Sequence, residues 1–180
     1  MRVLSLVFAI LLSGCFSLKT LLPAVSYFDL DQSFPSKTCK KSINLGISEI
    51  RSADLYNTPE MILRKNNGEI VALQSQVWVD VPKNLFKKLL LKKFNSECIR
   101  TSIAPFGGVK NDLLLKIEIL NFDILESGGV KVSVFYELSS LKNFEVLKSG
   151  ILSAKEAGES VPAFKKAIFS ILDKLSSIVI

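Results

Sequence analysis

Cysteine and histidine carry much of the nucleophilic and metal chemistry of proteins, and this chain of 180 residues has three cysteines and no histidine. Without histidine, neither a Ser-His-Asp nor a Cys-His catalytic arrangement is available, and the commonest zinc ligand is missing. Three cysteines are too few for a four-thiolate zinc site. The glycine pairs Gly107-Gly108 and Gly128-Gly129 match no phosphate-binding or dinucleotide fingerprint. The sequence therefore predicts no enzymatic activity, no metal site and no cofactor.

Carboxylates could still act as a general acid and base, as they do in glycoside hydrolysis. Five of them occupy strand-like positions among lysines and serines: Glu118, Asp123, Glu126, Glu145 and Glu156. Because charged side chains mostly stay in contact with water, we expect these five on a solvated sheet face. A periplasmic hydrolase, the alternative, would need a cleft in which carboxylates with shifted pKa values converge.

Cys15 closes a short hydrophobic leader that begins with the positive charge of Arg2. Residues 3–12 are apolar except Ser5, and small residues lead into the cysteine. This layout is typical of a secretory signal peptide, and its apolar run is too short to span a bilayer. The segment Leu12-Ser13-Gly14-Cys15 resembles the bacterial lipobox, in which the thiol is acylated and the leader is cut before it. We therefore predict a signal peptide at 1–14, lipidation of Cys15 and a tether over 15–24; an ordinary signal peptide that happens to contain a cysteine is the alternative.

Phe16, not aspartate, follows the predicted lipidation site. In the best-known sorting scheme an aspartate there retains a lipoprotein in the inner membrane, so the sequence favours the outer membrane, with the domain facing the periplasm. An exported chain is a poor partner for nucleic acid, although its formal net charge is +6. The predicted location is thus the bacterial cell envelope.

Two further cysteines, Cys39 and Cys98, remain in a chain that is predicted to be exported to an oxidising compartment. As a disulfide they would close a loop of roughly sixty residues, with about 4 kcal/mol of stabilisation in the chain-entropy model. Two separate thiols are the alternative, since the sequence does not show that the two residues come within bonding distance.

The spacing of apolar residues and turn signals after the tether predicts one α+β domain over residues 25–180. This domain has a mainly antiparallel sheet and two amphipathic helices packed on one face. The helices are predicted over 84–97 and from about residue 161, where apolar residues recur at helical spacing. The turn Asn66-Asn67-Gly68 joins two strands into a hairpin. The predicted strands are 25–31, 42–50, 60–65, 69–73, 99–104, 112–126, 130–138 and 144–154.

Two groups of residues are candidate contacts for a partner or a lipid. The first is a set of lysines on the first helix, which could attract anionic head groups, although a solvated helix face also explains them. The second is an apolar concentration for which core packing is the alternative. The residues are Lys87, Lys88, Lys92 and Lys93 in the first group, and Met61, Ile62, Leu63 and Trp78 in the second.

The order of these landmarks resembles the ABC-type transport auxiliary lipoprotein family, which includes the lipoprotein component of Pqi-like and Mla-like lipid transport systems. After the lipobox come Tyr27-Phe28-Asp29-Leu30, the strand Ile43-Asn44-Leu45-Gly46-Ile47 and a segment in which Tyr56, Pro59, Ile62 and Arg64 occupy the places of the family motif. Trp78 follows shortly before an amphipathic helix, as in that family.

The resemblance implies a non-enzymatic lipoprotein that helps phospholipid or a similar hydrophobic cargo cross the periplasm. Its partners would be a protein with a mammalian-cell-entry domain and the ABC permease and ATPase of the same system; a homo-oligomer is also possible. The alternative function is an outer-membrane assembly lipoprotein that binds a β-barrel and an anionic glycolipid through its lysine helix.

Overall fold

The computed structural model describes residues 24–39 and 41–180, so that the predicted signal peptide, Cys15 and most of the tether lie outside the described residues. The described elements follow one another in the order β1 (Ser26–Phe28), β2 (Ile43–Ile47), β3 (Arg51–Ser52), a 3₁₀ turn (Asp54–Tyr56), β4 (Glu60–Arg64), β5 (Ile70–Trp78), α1 (Pro82–Ser96), β6 (Ile99–Ile103), β7 (Leu113–Leu125), β8 (Val130–Ser140), β9 (Val146–Glu156) and α2 (Ser160–Val179).

The strand β7 is the centre of one mixed sheet. Along one edge it pairs in parallel with β2, then with β3 and last with β4. Along its other edge it pairs antiparallel with β8, which in turn pairs antiparallel with β9. Beyond β2 lies β6, and beyond β4 lie β5 and then β1. The strands β1, β6 and β9 therefore form the edges of the sheet.

The two helices contact each other and share one hydrophobic core with the sheet. Three aromatic side chains lie at its middle. The Trp78 ring centroid is 5.1 Å from that of Phe164 on α2 and 5.8 Å from that of Phe122 on β7, both edge-to-face, and the two phenylalanines stack at 4.6 Å. Such contacts add to the stabilisation that burial of the rings already gives. Pro82 opens α1, where its missing N–H has no helical partner to lose.

The predicted α+β class and single domain are confirmed, and the three antiparallel pairings are long, as expected. Within the described residues, however, five of the eight strand pairings are parallel. Parallel neighbours need crossover connections instead of tight turns. Hydrophobic alternation locates a strand but does not show which distant strand it joins, so the parallel half of the sheet was not predicted.

Candidate functional site

Residues 24–39 form an extended segment, here called the N-terminal strap, that lies on both helices. The Nζ of Lys88 is 3.3 Å from a carboxylate oxygen of Asp29 and 3.4 Å from one of Asp31, and Lys92 also pairs with Asp31. Lys165 on α2 donates to the backbone oxygen of Asp31 at 3.1 Å. The hydrogen bond from Lys92, helped by Lys88, lowers the pKa of the exposed Asp31 carboxyl. The first half of the strap is thus held by exposed ion pairs, which individually contribute little.

The second half of the strap packs beside Lys93, which is buried. Its Nζ lies 2.9 Å from Glu97 and 3.0 Å from Asp173, so that α1 and α2 are joined through one ammonium. The ring of Phe169, which stacks on Phe34 of the strap, has its centroid 5.1 Å from the same Nζ. Burial acts to lower the pKa of Lys93, but hydrogen bonds to Glu97 and Asp173 outweigh it and the pKa is raised. Lys93 therefore stays charged and ties three segments together.

The strap ends at Cys39, whose sulfur is bonded to that of Cys98, with 5.5 Å between the Cα atoms. Next to the bridge, the N–H of Lys37 donates to the backbone oxygen of Ser96 at 3.0 Å, and the Lys37 side chain pairs with Glu97. The hydrogen bond from Lys37, followed by that from Lys93, lowers the pKa of Glu97. The N-terminal strap is therefore fastened beside the C-terminal end of α1.

Three of the predicted contact lysines border a groove on the outer side of α1, here called the α1 groove. Its volume is about 690 Å³, within the range of pockets that hold small molecules. Apolar side chains form part of its wall. Asp80 lies at the start of the helix, where its carboxylate accepts hydrogen bonds from the Val81 N–H and the Asn84 amide. The lining residues are Val79, Asp80, Asn84, Leu85, Lys87, Lys88, Leu91 and Lys92.

Four of the eight predicted contact residues are buried, and for these the prediction of a surface contact is wrong. Met61, Ile62 and Trp78 are 1%, 3% and 1% exposed and belong to the core, and Lys93 is 5% exposed. Leu63 is half-buried. Lys93 was predicted on the surface because lysine normally avoids burial. Its partners Glu97 and Asp173 come together around it only when α1 packs against α2.

Asp123 is a second buried charge, fully enclosed although the sequence predicted it on a solvated face. Its carboxylate accepts from the Tyr56 hydroxyl at 2.7 Å, from Arg64 Nε at 2.8 Å and from the Asn121 amide at 3.1 Å. Ser133 donates to Asn121 at 2.5 Å, which completes the network. A buried carboxylate needs such partners, because an unpaired one would be strongly destabilising.

The network explains why the motif residues Tyr56 and Arg64 matter to this fold. Tyr56 follows β3, Arg64 ends β4, and both side chains meet on Asp123 of β7. Burial first, and then the Asp123 carboxylate, raise the pKa of Tyr56, while the hydrogen bond to Asp123 raises that of Arg64. Sequence reasoning did not predict the burial of Asp123; the available signal was an acid next to Phe122 and Ile124, inside a long apolar strand.

Two further observations complete the description of residues 24–39 and 41–180. No three potential metal-binding side chains come together in this part of the chain. Neither of its helices combines the length and the apolar character that crossing a bilayer requires.

The fold and these surfaces define an α+β domain that is fastened to its own N-terminal strap and offers grooves and charged faces for contact. The sequence matches the family model of the ABC-type transport auxiliary lipoprotein component over residues 28–178, and the chain belongs to this family. The resemblance seen in the sequence is therefore confirmed. Membership makes the chain an auxiliary lipoprotein of a transport system, in a family that is not a known family of enzymes.

Solved structures share the fold at low sequence identity. A protein of Xanthomonas campestris from the family DUF330 superposes with a TM-score of 0.70 at 15% identity, covering 83% of this chain and 92% of that one. The PelC dodecamer of Paraburkholderia phytofirmans gives 0.51 at 10% identity, covering 81% and 96%. The hypothetical protein CT253 of Chlamydia trachomatis gives 0.51 at 10%, covering 77% and 98%. Among curated proteins, none matches this sequence.

Proposed function

We propose that this protein is an outer-membrane-anchored accessory lipoprotein of a mammalian-cell-entry-type lipid transport system. It acts by protein contacts while phospholipid or a similar hydrophobic cargo crosses the periplasm, together with the mammalian-cell-entry-domain protein and the ABC permease and ATPase of the system. The observation that carries the proposal is the family match over residues 28–178. The N-terminal strap, which is bound to both helices, supports the proposal, because an anchored domain has to be joined firmly to the segment that carries its anchor.

The proposed anchor is Cys15. Ala24, where the described strap begins, lies nine positions further along the chain, and a fully extended chain of that length spans at most about 30 Å. The domain would therefore work close to the membrane surface. Several acyl chains on one cysteine would hold it there far more firmly than the marginal binding that a single chain gives.

Fatty-acid labelling tests this anchor. We expect the full chain to incorporate a labelled fatty acid and to sediment with outer-membrane fractions, and a Cys15→Ala variant to lose both properties. A Ser13→Ala variant, changed within the same segment, serves as the control and should retain the label. An unlabelled full chain, or a Cys15→Ala variant that still fractionates with the membrane, would refute the lipid anchor.

The α1 groove is the proposed contact for the mammalian-cell-entry partner or for its phospholipid cargo. It combines apolar walls with three ammonium groups, and two of these, Lys88 and Lys92, pair with exposed carboxylates of the strap. Exposed ion pairs of this kind are worth about 0–1 kcal/mol each, so the lysines can exchange their partners at small cost. The groove is therefore available to a phosphate head group or to an acidic protein surface.

Capture of the partner from the intact envelope tests the contact. Replacing Lys87, Lys88 and Lys92 by Gln removes roughly 0.5 kcal/mol each, and about 1.4 kcal/mol in all corresponds to a tenfold weaker complex. We expect chemical cross-linking to the mammalian-cell-entry protein to fall by about that factor. The matched control is Lys166→Gln with Lys174→Gln, two exposed lysines of α2, which should capture as the wild type does. Capture of a β-barrel and glycolipid instead, lost in the triple variant, would favour the outer-membrane assembly function.

Self-association is a further part of the proposal. PelC, which shares the fold at a TM-score of 0.51, is described as a dodecamer. Repetition of the domain at a membrane would multiply weak contacts with a partner, since linked binding sites raise the effective concentration. We therefore propose a homo-oligomer in the envelope.

A further inference from the structure

We infer that the domain rests on the anionic surface of the bilayer that holds its anchor, with one particular face turned to the lipid. This face, here called the tether-side surface, combines exposed apolar side chains at the start of the strap with the lysines of the α1 groove. Its residues are Val25, Tyr27, Val79, Lys87, Lys88 and Lys92. The inference rests on the proposed lipid anchor, and it names the ligand of the α1 groove as phospholipid head groups that are still in the bilayer.

The strap enters the domain at this surface. β1 begins two residues after Ala24 and pairs in parallel with the end of β5, so that Phe28 lies beside Trp78. The Val79 N–H donates to the backbone oxygen of Phe28 at 3.0 Å, which places the wall of the α1 groove directly beside the strap. Since Ala24 lies at most about 30 Å from the proposed anchor, the anchor keeps this face near the bilayer.

Three side chains of this surface that suit contact with lipid are open to solvent. Val25, Tyr27 and Val79 are 45%, 69% and 53% exposed. Tyr27 pairs with Val77, two residues before Val79, so the exposed side chains adjoin one another. A tyrosine has an apolar ring and a polar hydroxyl, a combination that is favoured where acyl chains meet head groups. Contact with a bilayer would therefore remove apolar surface from water at the place where the chain is anchored.

The lysines beside these side chains are available to phosphate groups. Lys87 has no ion-pair partner in the part of the chain that the structure describes. Lys88 and Lys92 pair with Asp29 and Asp31, and all four of these side chains are between 40% and 43% exposed. Because exposed ion pairs are weak, phosphate can replace the two strap carboxylates at small cost.

A bilayer suits this surface better than an acidic protein does. Its phosphate groups can face the lysines while its acyl chains lie just beneath, within reach of the apolar side chains, whereas an acidic protein surface offers the charge alone. Each lysine near an anionic bilayer strengthens binding about fivefold. The anchor holds the domain beside the bilayer, so that even a weak contact is occupied, as in other linked binding sites.

Quenching of a fluorophore by labelled lipid tests this contact. The full lipidated chain with Ser26→Cys, an exposed position next to Tyr27, carries the fluorophore on its new thiol. Cys39 and Cys98 are bonded to each other, and the proposed acylation blocks Cys15, so the label is specific. The protein is reconstituted in vesicles of nitroxide-labelled phosphatidylcholine, with or without phosphatidylglycerol. We expect quenching about threefold stronger with phosphatidylglycerol, and loss of this difference at high ionic strength.

The matched control carries the same fluorophore at Phe144→Cys. Phe144 is 84% exposed and lies in the loop before β9, the edge strand on the other side of β7 from β1. Its label should be quenched weakly and equally in both kinds of vesicle. A label at Phe144→Cys that responds to phosphatidylglycerol as strongly as the one at Ser26→Cys would overturn the assignment of the tether-side surface.

Two variants of the Ser26→Cys chain should change the quenching in opposite directions, which a loss of folding would not do. Replacing Lys87, Lys88 and Lys92 by Gln should bring it down to the level seen in phosphatidylcholine alone. Asp31→Asn frees Lys88 and Lys92 from a competing carboxylate, so half-maximal quenching should need about twofold less phosphatidylglycerol.

The outcomes separate this inference from the proposed function. A chain that stays with the vesicles but is quenched equally with and without phosphatidylglycerol would overturn the lipid contact alone. If the triple lysine variant of that chain still loses its cross-link to the mammalian-cell-entry protein, the groove is a protein contact instead. A chain that does not remain with vesicles of either composition would overturn the lipid anchor and this inference together.

Discussion

An Asp123→Ala variant is expected to lose about 3 kcal/mol or more of the free energy of unfolding. Removing this carboxylate leaves the Tyr56 hydroxyl and the Arg64 guanidinium without their shared acceptor, at 2.7 and 2.8 Å in the native protein. Breaking a buried charge pair by removing one partner typically costs 3–5 kcal/mol, roughly, because the other charge remains uncompensated. Arg64 keeps some contact with solvent, which places the expected loss at the lower end of that range. Urea denaturation followed by circular dichroism measures it.

Two further variants separate the role of the charge from that of the hydrogen bonds. Asp123→Asn retains an acceptor oxygen for Tyr56 but removes the charge that faces Arg64, so we expect a smaller loss than with alanine. Glu118→Ala changes an exposed carboxylate on the same strand and should stay within about 0.5 kcal/mol of the wild type. A loss below 1 kcal/mol for Asp123→Ala would show that the network does not hold β4 and the 3₁₀ turn onto β7.

Removing the bridge with Cys39→Ala and Cys98→Ala together is expected to cost about 4 kcal/mol. The two cysteines are 59 residues apart in sequence, and closing a loop of that length restricts the unfolded chain strongly in the chain-entropy model. The bridge also fixes the end of the strap, whose remaining contacts near Asp29 and Asp31 are exposed ion pairs of small individual value. The full chain is compared with the double variant by urea denaturation.

Reduction provides the matched control for this experiment. A reductant should bring the wild type close to the double variant and should leave the double variant itself unchanged. Limited proteolysis under the same conditions should cut the strap first, because the rest of the core is held independently by Trp78, Phe122 and Phe164. A double variant as stable as the wild type would show that the bridge does not constrain the unfolded chain.

Most elements of this fold could be predicted, because a local pattern encodes them; the two-residue strand β3 was not predicted, and β5 runs on to Trp78 instead of ending at residue 73. Alternating apolar residues located β7 and β8, and helical spacing located α1 and α2. The family could be recognised for a related reason, since Tyr56, Pro59 and Arg64 stand close together along the chain. The structure adds what this local motif does: two of its residues reach a common carboxylate on a strand about sixty residues further on.

The candidate contact residues show the same difference between what the local pattern predicts and what the tertiary structure adds. Lys87, Lys88 and Lys92 border the α1 groove, while Lys93, their neighbour on the same helix, is enclosed by Glu97, Asp173 and two phenylalanine rings. A helical pattern gives the direction of each side chain but not the surface that another segment will cover. The strap, which covers that side of α1, has no regular pattern beyond β1 from which its path could be predicted.

The sequence by itself thus predicted a leader with Cys15 as a candidate lipid anchor, and it determined the order of most helices and strands, the α+β class and the family. Only the tertiary structure decided that β2, β3 and β4 lie parallel along β7, that Asp123 and Lys93 are buried with partners, and that the strap is bound to both helices. The physical reason is the range of the interactions. Periodicity, turns and leader composition act over a few residues, whereas strand order and charge burial depend on contacts between residues that are distant in sequence, which the local pattern does not specify.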